Sequence, residues 1–221
     1  MRSSRSRLYG WAVFAAMVPV GVAVMSIAEA RTLLNFNSDW GFWRGEKPGA
    51  EKPGYDDSGF ARITLPHTMR LETKHCGGAA NVYQGIGWYR RYFTVPDEFR
   101  NQRVVLDFEG VMIDSTYYLN GEEIGTRNGG YIGFSLDITD KIKWGESNVL
   151  AVRVSNRDNP DTPPGKPLAN LDFHYYGGIY RDVAMKVTDK LHITDSLSAD
   201  RVAGGGVFVT YPSVSEEVAT V

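Results

Sequence analysis

The sequence predicts an all-β sandwich or barrel, and three observations carry that prediction. Apolar and polar residues alternate along most of the chain after residue 30. Turn signals built from Gly, Pro, Asn and Asp recur roughly every 8–15 residues, and hardly any stretch shows the 3.6-residue period of an amphipathic helix. With 221 residues, 43% of them hydrophobic, and a formal charge of −2, the composition is that of a globular protein.

Residues 1–30 are expected to stand outside this fold. Arg2, Arg5 and Arg7 form a basic start, an apolar run follows over 8–27, and Ala28-Glu29-Ala30 offers an A-x-A cleavage site. The segment reads as a signal peptide, with an uncleaved N-terminal anchor as the competing reading because the apolar run is long enough to cross a bilayer. Either way the remainder is expected to be exported to the periplasm, the cell surface or the medium. Residues 1–30 hold three of the 24 basic and one of the 26 acidic residues, which leaves 21 basic against 25 acidic, a net charge of −4. A mildly acidic surface argues against nucleic acid as a partner. Cys76 is the only cysteine, so no internal disulfide can form, and stability has to come from a core.

The aromatic run 36–43, F-N-S-D-W-G-F-W, is expected to lie across the sandwich edge, and 46–54, E-K-P-G-A-E-K-P-G, reads as a solvated surface loop. Residues 61–65 form a short strand stopped by Pro66. Residues 72–87 are a long Gly-rich loop; their glycines are no phosphate cradle, since no strand precedes and no helix follows. A strand over 88–95 ends at Pro96, and the next, over 103–111, places Val104, Leu106 and Phe108 on one face and Val105, Asp107 and Glu109 on the other. Asn120-Gly121, between two strand-like runs, predicts a type I′ hairpin turn, because both positions need positive φ. One helical turn is expected near 139–143, and 148–154 is expected to be a central strand. The tail offers strand-like runs at 191–197, 207–211 and 213–221 without a sheet's worth of partners, so it reads as the start of a second, incomplete domain.

The chain is organised around 168–183, L-A-N-L-D-F-H-Y-Y-G-G-I-Y-R-D-V. A concave saccharide site needs flat apolar faces for sugar C–H groups and a few fixed polar atoms for hydroxyls. Asp172, Phe173, His174, Tyr175 and Tyr176 supply both, although the same residues could simply plug the end of a sandwich. No G-x-S-x-G, H-E-x-x-H or metal-ligand spacing occurs among His67, His75, His174 and His192. The carboxylate pairs Asp56-Asp57 and Glu122-Glu123 do not suit glycoside hydrolysis, because neighbours on an extended chain point apart.

Eight segments occur in a telling order: L-P-H-T-M (65–69), G-W-Y-R-R-Y-F-T-V-P (87–96), D-F-E-G-V (107–111), Y-L-N-G-E-E-I-G (118–125), G-G-Y-I-G-F (129–134), D-I-T (137–139), N-V-L-A-V-R-V-S-N (148–156) and Y-G-G-I-Y-R-D-V (176–183). Over roughly 33–188 this set resembles the N-terminal sugar-binding domain of glycoside hydrolase family 2, the family of β-galactosidases, β-glucuronidases and β-mannosidases. The resemblance implies a jelly-roll β-sandwich over 31–188, then the opening of an immunoglobulin-like domain over 189–221, then a TIM barrel that carries both catalytic glutamates of a retaining mechanism. No catalytic residue is therefore expected within this chain.

In β-galactosidases of the family the first domain lends loop residues to the active-site rim. The aspartate before the G-I-x-R-D-V segment matches Asp172, whose implied role is to hydrogen-bond sugar hydroxyls and, in some members, to help hold a monovalent or magnesium cation. An asparagine in the loop before the W-Y-R-R strand is best matched by Asn81, which reads equally as an ordinary turn residue. His174 and Tyr175 are implied neighbours of the sugar, whereas Arg90, Arg91 and Arg181 are expected to brace the sandwich or pair with barrel acids. The implied partners are a carbohydrate with a terminal β-linked sugar and the C-terminal domains; a homo-oligomeric full-length enzyme is compatible with both. A free-standing carbohydrate-binding module and a sandwich that docks a partner are the alternative readings.

Overall fold

The computed structural model describes residues 31–71, 83–199, 204–207 and 209–220. The expected signal segment, Asn81 and Cys76 lie outside them. Twelve strands build the main body: β1 (Arg31–Asn35), β2 (Trp40–Arg44), β3 (Ala61–Ile63), β4 (Ile86–Thr94), β5 (Arg103–Phe108), β6 (Val111–Met112), β7 (Asp114–Leu119), β8 (Glu122–Asn128), β9 (Phe134–Asp137), β10 (Ser147–Ser155), β11 (Gly178–Ile179) and β12 (Val183–Thr188). A four-stranded sheet in the order β1-β12-β5-β9 faces a six-stranded sheet in the order β3-β2-β4-β10-β7-β8, and β11 pairs with β6 at the rim. All named pairings are antiparallel. This is the β-sandwich that the alternation predicts.

Alternation decides which side chains meet. From the four-stranded sheet, Val104, Leu106 and Phe108 of β5 and Val183, Met185 and Val187 of β12 point inward. They meet Leu150, Val152 and Val154 of β10 and Tyr117 and Leu119 of β7. Phe108 stacks on Phe134 with centroids 5.3 Å apart, and Tyr117 packs edge-on against both rings at 5.0 and 5.4 Å, which ties the two sheets together. The Asn120-Gly121 turn adopts φ of 53° and 90°, as the hairpin requires. A single 3₁₀ turn at Thr139–Lys141 and the central position of β10 also match the sequence expectation.

Three expectations need correction. The aromatic run 36–43 does not lie across an edge: Phe36, Trp40 and Phe42 are buried in the main core, and β2 lies inside the six-stranded sheet between β3 and β4. The loop 46–54 is not merely solvated. It folds back over the outer face of the six-stranded sheet, where Ala50 is buried with Phe60, Ile86, Trp88 and Ala151. The fully buried Arg90 holds it there, donating to the carbonyls of Ala50 and Lys52 and to a carboxylate oxygen of Asp57 at 3.0 Å. Glu46, at the loop's start, accepts from Trp88 Nε1 at 3.1 Å and from Arg153 at 2.6 Å.

The third correction concerns the tail. Instead of a strand over 191–197, a helical turn forms at α1 (Ser196–Ala199), because Asp195 accepts a hydrogen bond from the amide of Ser198 and so caps a turn. A short ribbon, β13 (Ser213–Val214) with β14 (Ala219–Thr220), pairs only with itself among the described residues.

Candidate functional site

The rim of the sandwich is assembled from three of the family-like segments. The backbone of 65–69 runs along 177–179, with the amide of His67 bonded to the carbonyl of Ile179 and that of Met69 to the carbonyl of Gly177, both at 2.8 Å. On its other side β11 pairs with β6, Ile179 opposite Val111. The Gly177-Gly178 pair is what permits this closeness. A Cβ at Gly177 would lie 2.6 Å from Asn156, and one at Gly178 (φ 127°) would lie 2.5 Å from the Tyr89 hydroxyl. Behind the pair, the buried Tyr89 hydroxyl lies 3.0 Å from His67 Nδ1, and burial lowers the His67 pKa.

Polar anchors fix the loop that leads into this rim. Asp114 accepts from Asn159 Nδ2 and the Thr162 hydroxyl at 2.9 and 3.1 Å. Asp158 accepts from the amide of Leu168 and from Gln84 at 2.9 and 2.6 Å. The buried Asn156 accepts from the amide of Gly85 and donates to the carbonyl of Tyr83, clasping the end of the long loop before β4.

A cleft of about 450 Å³ opens above this frame. His174, Tyr175, Tyr176, Tyr180 and Arg181 line it from the organising stretch, and Thr68, Met112 and Tyr131 complete its walls. Tyr180 donates to the carbonyl of Gly130 at 2.6 Å, which fastens the glycine turn 129–133 to the rim. Tyr175 is largely buried against Met112, Ile113 and Leu168, and burial, with Asp158 nearby, pushes its phenol up to about 12. Its hydroxyl therefore stays protonated throughout the neutral range and is available as a donor.

His174 and Tyr175 thus line the cleft, Tyr175 with most of its bulk committed to packing. Asp172 and Phe173 are exposed on the loop immediately before the lining residues, Phe173 at 46%. Asp172 leads into the cleft without forming its wall. Ile179 is fully buried, as expected of a packing residue. Thr68, Tyr131 and Arg181 were not expected in a site. Arg181 is exposed toward the cleft and forms no ion pair among the described residues, whereas Arg90 is the internal brace the sequence suggests. Arg91 lies with its guanidinium carbon 3.6 Å from the centre of the Phe36 ring. Among the described residues no group of three or more His, Cys, Asp or Glu could hold a metal ion.

Aromatic faces, a hydroxyl, an exposed guanidinium and an adjacent carboxylate around one concave space are the chemistry of saccharide binding. The fold and this cleft place the chain among the sugar-binding β-sandwiches. Comparison with known proteins gives the family: residues 46–189 match the sugar binding domain of the glycosyl hydrolases family 2. The chain is 37% identical over 166 residues to a beta-galactosidase of Thermoanaerobacter pseudethanolicus, covering 75% of this chain and 22% of that protein. It is 33% identical over 204 residues to a beta-glucuronidase of Formosa agariphila, covering 88% of this chain and 21% of that one. Among solved structures, Bacteroides uniformis beta-glucuronidase 2, covalently bound to cyclophellitol-6-carboxylate aziridine, superposes with a TM-score of 0.70 at 33% identity, over 84% of this chain and 21% of that one. The chain belongs to glycoside hydrolase family 2, as a sugar-binding domain, and spans about a fifth of the length of these relatives.

Proposed function

We propose that this domain forms the sugar-binding rim of a retaining, β-galactosidase-like glycosidase and orients the non-reducing terminal sugar for catalytic groups carried elsewhere. The observation that carries the reading is the cleft itself, in which His174, Tyr175, Tyr176 and Tyr180 stand beside the exposed Asp172. The aromatic side chains offer faces to sugar C–H groups. Asp172 would accept hydrogen bonds from ring hydroxyls, and a charge-assisted bond of this kind contributes about 1.5–3 kcal/mol. A carboxylate at this position suits a neutral sugar better than a uronate, which favours a β-galactoside over a β-glucuronide. Export and help from Asp172 in holding a cation belong to the same proposal.

One observation favours a second reading. Arg181 offers the cleft an exposed guanidinium without an ion pair among the described residues, a group suited to a uronate carboxylate. Titration of the chain with methyl β-galactoside and methyl β-glucuronide, followed by amide NMR shifts, separates the two. The first reading expects the galactoside to shift the amides of 173–176, and Asp172→Ala to abolish the effect without changing Tm. Shifts with the glucuronide alone, lost in Arg181→Gln, would transfer the assignment to the second. An Asp172→Ala variant that binds as wild type would remove Asp172 from the site.

A further inference from the structure

The end of β2 carries a feature that the first cleft does not use. β3 pairs with β2 only along 40–42, so Trp43 and Arg44 run on past it with one edge unpaired, while β4 continues along their other side. An open cavity of about 450 Å³ lies at this notch, lined by Phe42, Trp43, Arg44, Gly59 and Ala61. A Cβ at Gly59 would meet nothing within 4 Å, so that wall is unobstructed. Cations gather around it. The Arg44 guanidinium carbon stands 5.7 Å from the centre of the Tyr83 ring, and that of Arg70 stands 5.8 Å from the same ring. Lys47 Nζ lies 3.8 Å over the Trp43 ring. The exposed Arg62, next to Ala61, reaches toward Gly41, where a Cβ would lie 3.7 Å from its Nη1. Among the described residues Arg44, Lys47 and Arg62 form no ion pair. The acids of the adjoining loop do not offset them. Glu46 is engaged by Arg153 and Asp57 by Arg90, and Glu51 and Asp56 form no wall of the cavity. A chain that is net acidic past residue 30 thus holds a cationic notch with aromatic walls.

Guanidinium and ammonium groups recognise carboxylate and sulfate groups, and the aromatic walls beside them suit sugar C–H faces. One exposed ion pair contributes little, so a free anion binds weakly in such a place. A polymer that repeats the charge holds its next anionic group at high effective concentration once the first is bound, and several cations around one open cavity match several charges. We infer that the notch at Trp43, Arg44 and Gly59 is a docking site for an acidic polysaccharide, built of sulfated or uronate sugars. It holds the domain on the polymer and uses no residue of the first cleft, so it stands independently of the reading given to that cleft.

Amide NMR titrations of the chain with dextran sulfate, polygalacturonate, neutral dextran and sodium sulfate at equal ionic strength test it. The expected result is that at least one acidic polymer shifts the amides of 43–47 and 59–62, whereas neutral dextran and free sulfate leave them in place. The shifts should vanish at about 1 M salt, where the screening length falls to about 3 Å. Arg44→Gln and Lys47→Gln should each weaken the polymer about threefold. Arg157→Gln, which removes an exposed cation outside the notch, and Asp172→Ala should bind it as wild type. Absence of shifts with both acidic polymers, or equal shifts with neutral dextran or free sulfate, would overturn the site. So would an equal loss in Arg157→Gln, or a duplex oligonucleotide binding as tightly as the acidic polymers, since either result marks unselective attraction between charges.

Discussion

Lys186 Nζ lies 2.8 Å from a carboxylate oxygen of Asp107 and 2.7 Å from one of Asp195. One buried ammonium thus joins β5 to the segment that follows β12, and Asp195 in turn bonds the amide and hydroxyl of Ser198 at 2.9 and 3.1 Å. Burial alone would raise the Asp195 pKa, but the Lys186 and Ser198 hydrogen bonds outweigh it and hold the carboxyl well below its ordinary value of 3.8.

Lys186→Met is therefore expected to release the 189–199 segment and to cost about 2 kcal/mol, less than for a fully buried pair because both carboxylates keep solvent contact. Amide hydrogen exchange at Ser198 should accelerate. The Asp195 part of this clip is present above pH 3.8 and disappears as pH falls below it, since the unfolded chain then binds the proton the folded state refuses.

His67 makes a second and separate contribution to acid sensitivity. Above its ordinary value of 6.5 the imidazole is neutral in both states and adds no pH dependence. As pH falls below that value the unfolded chain is protonated first, because burial lowers the folded pKa, and stability declines. Wild-type Tm should drop on acidification from neutral pH toward pH 5, and His67→Gln should flatten that drop. An unchanged slope would show that His67 is protonated in the folded protein.

Arg90→Met removes the cation that the Asp57 carboxylate pairs with among the described residues and leaves the Ala50 and Lys52 carbonyls of the 46–60 loop without their donor. The expected loss is about 3–5 kcal/mol by denaturant titration. Arg90→Lys should recover only a fraction of it, because an ammonium on a single stem cannot reproduce the forked set of donors.

Gly130→Ala should destabilise the rim by about 1–3 kcal/mol, since the added methyl would meet the Met112 sulfur. Combining it with Met112→Ala should recover part of the loss, and additivity of the two changes would refute the clash.

The elements that the sequence made legible are those fixed by local rules. Asn120-Gly121 announces its turn through positive φ, and β10 announces its central place through two apolar faces. What escaped reading depends on contacts far apart in the chain. Nothing near Lys47-Pro48-Gly49 says that Arg90, some 40 residues on, will capture the loop's carbonyls, so a Lys- and Pro-rich run reads as solvated when it is a lid on a sheet. The same holds for the site. Residues 174–176 of the run 172–176 line the cleft, but aromatic composition could not separate the exposed Phe173 from the buried Tyr175. Thr68 and Tyr131 entered only because backbone pairing brings 65–69 and the glycine turn to the same rim.

The two glycines at 177 and 178 carry a last consequence. With Asn156 against one and the Tyr89 hydroxyl against the other, the floor of the cleft has almost no freedom to accept substitution. The side chains of Asp172, Phe173, Tyr131 and Ile132 are exposed beside that floor. A lineage altering its sugar preference would find its raw material in those exposed positions, with the floor serving as an unchanging chassis. Combinatorial libraries restricted to 131, 132, 172 and 173 should therefore yield folded variants at high frequency, while libraries at 177 and 178 should yield few.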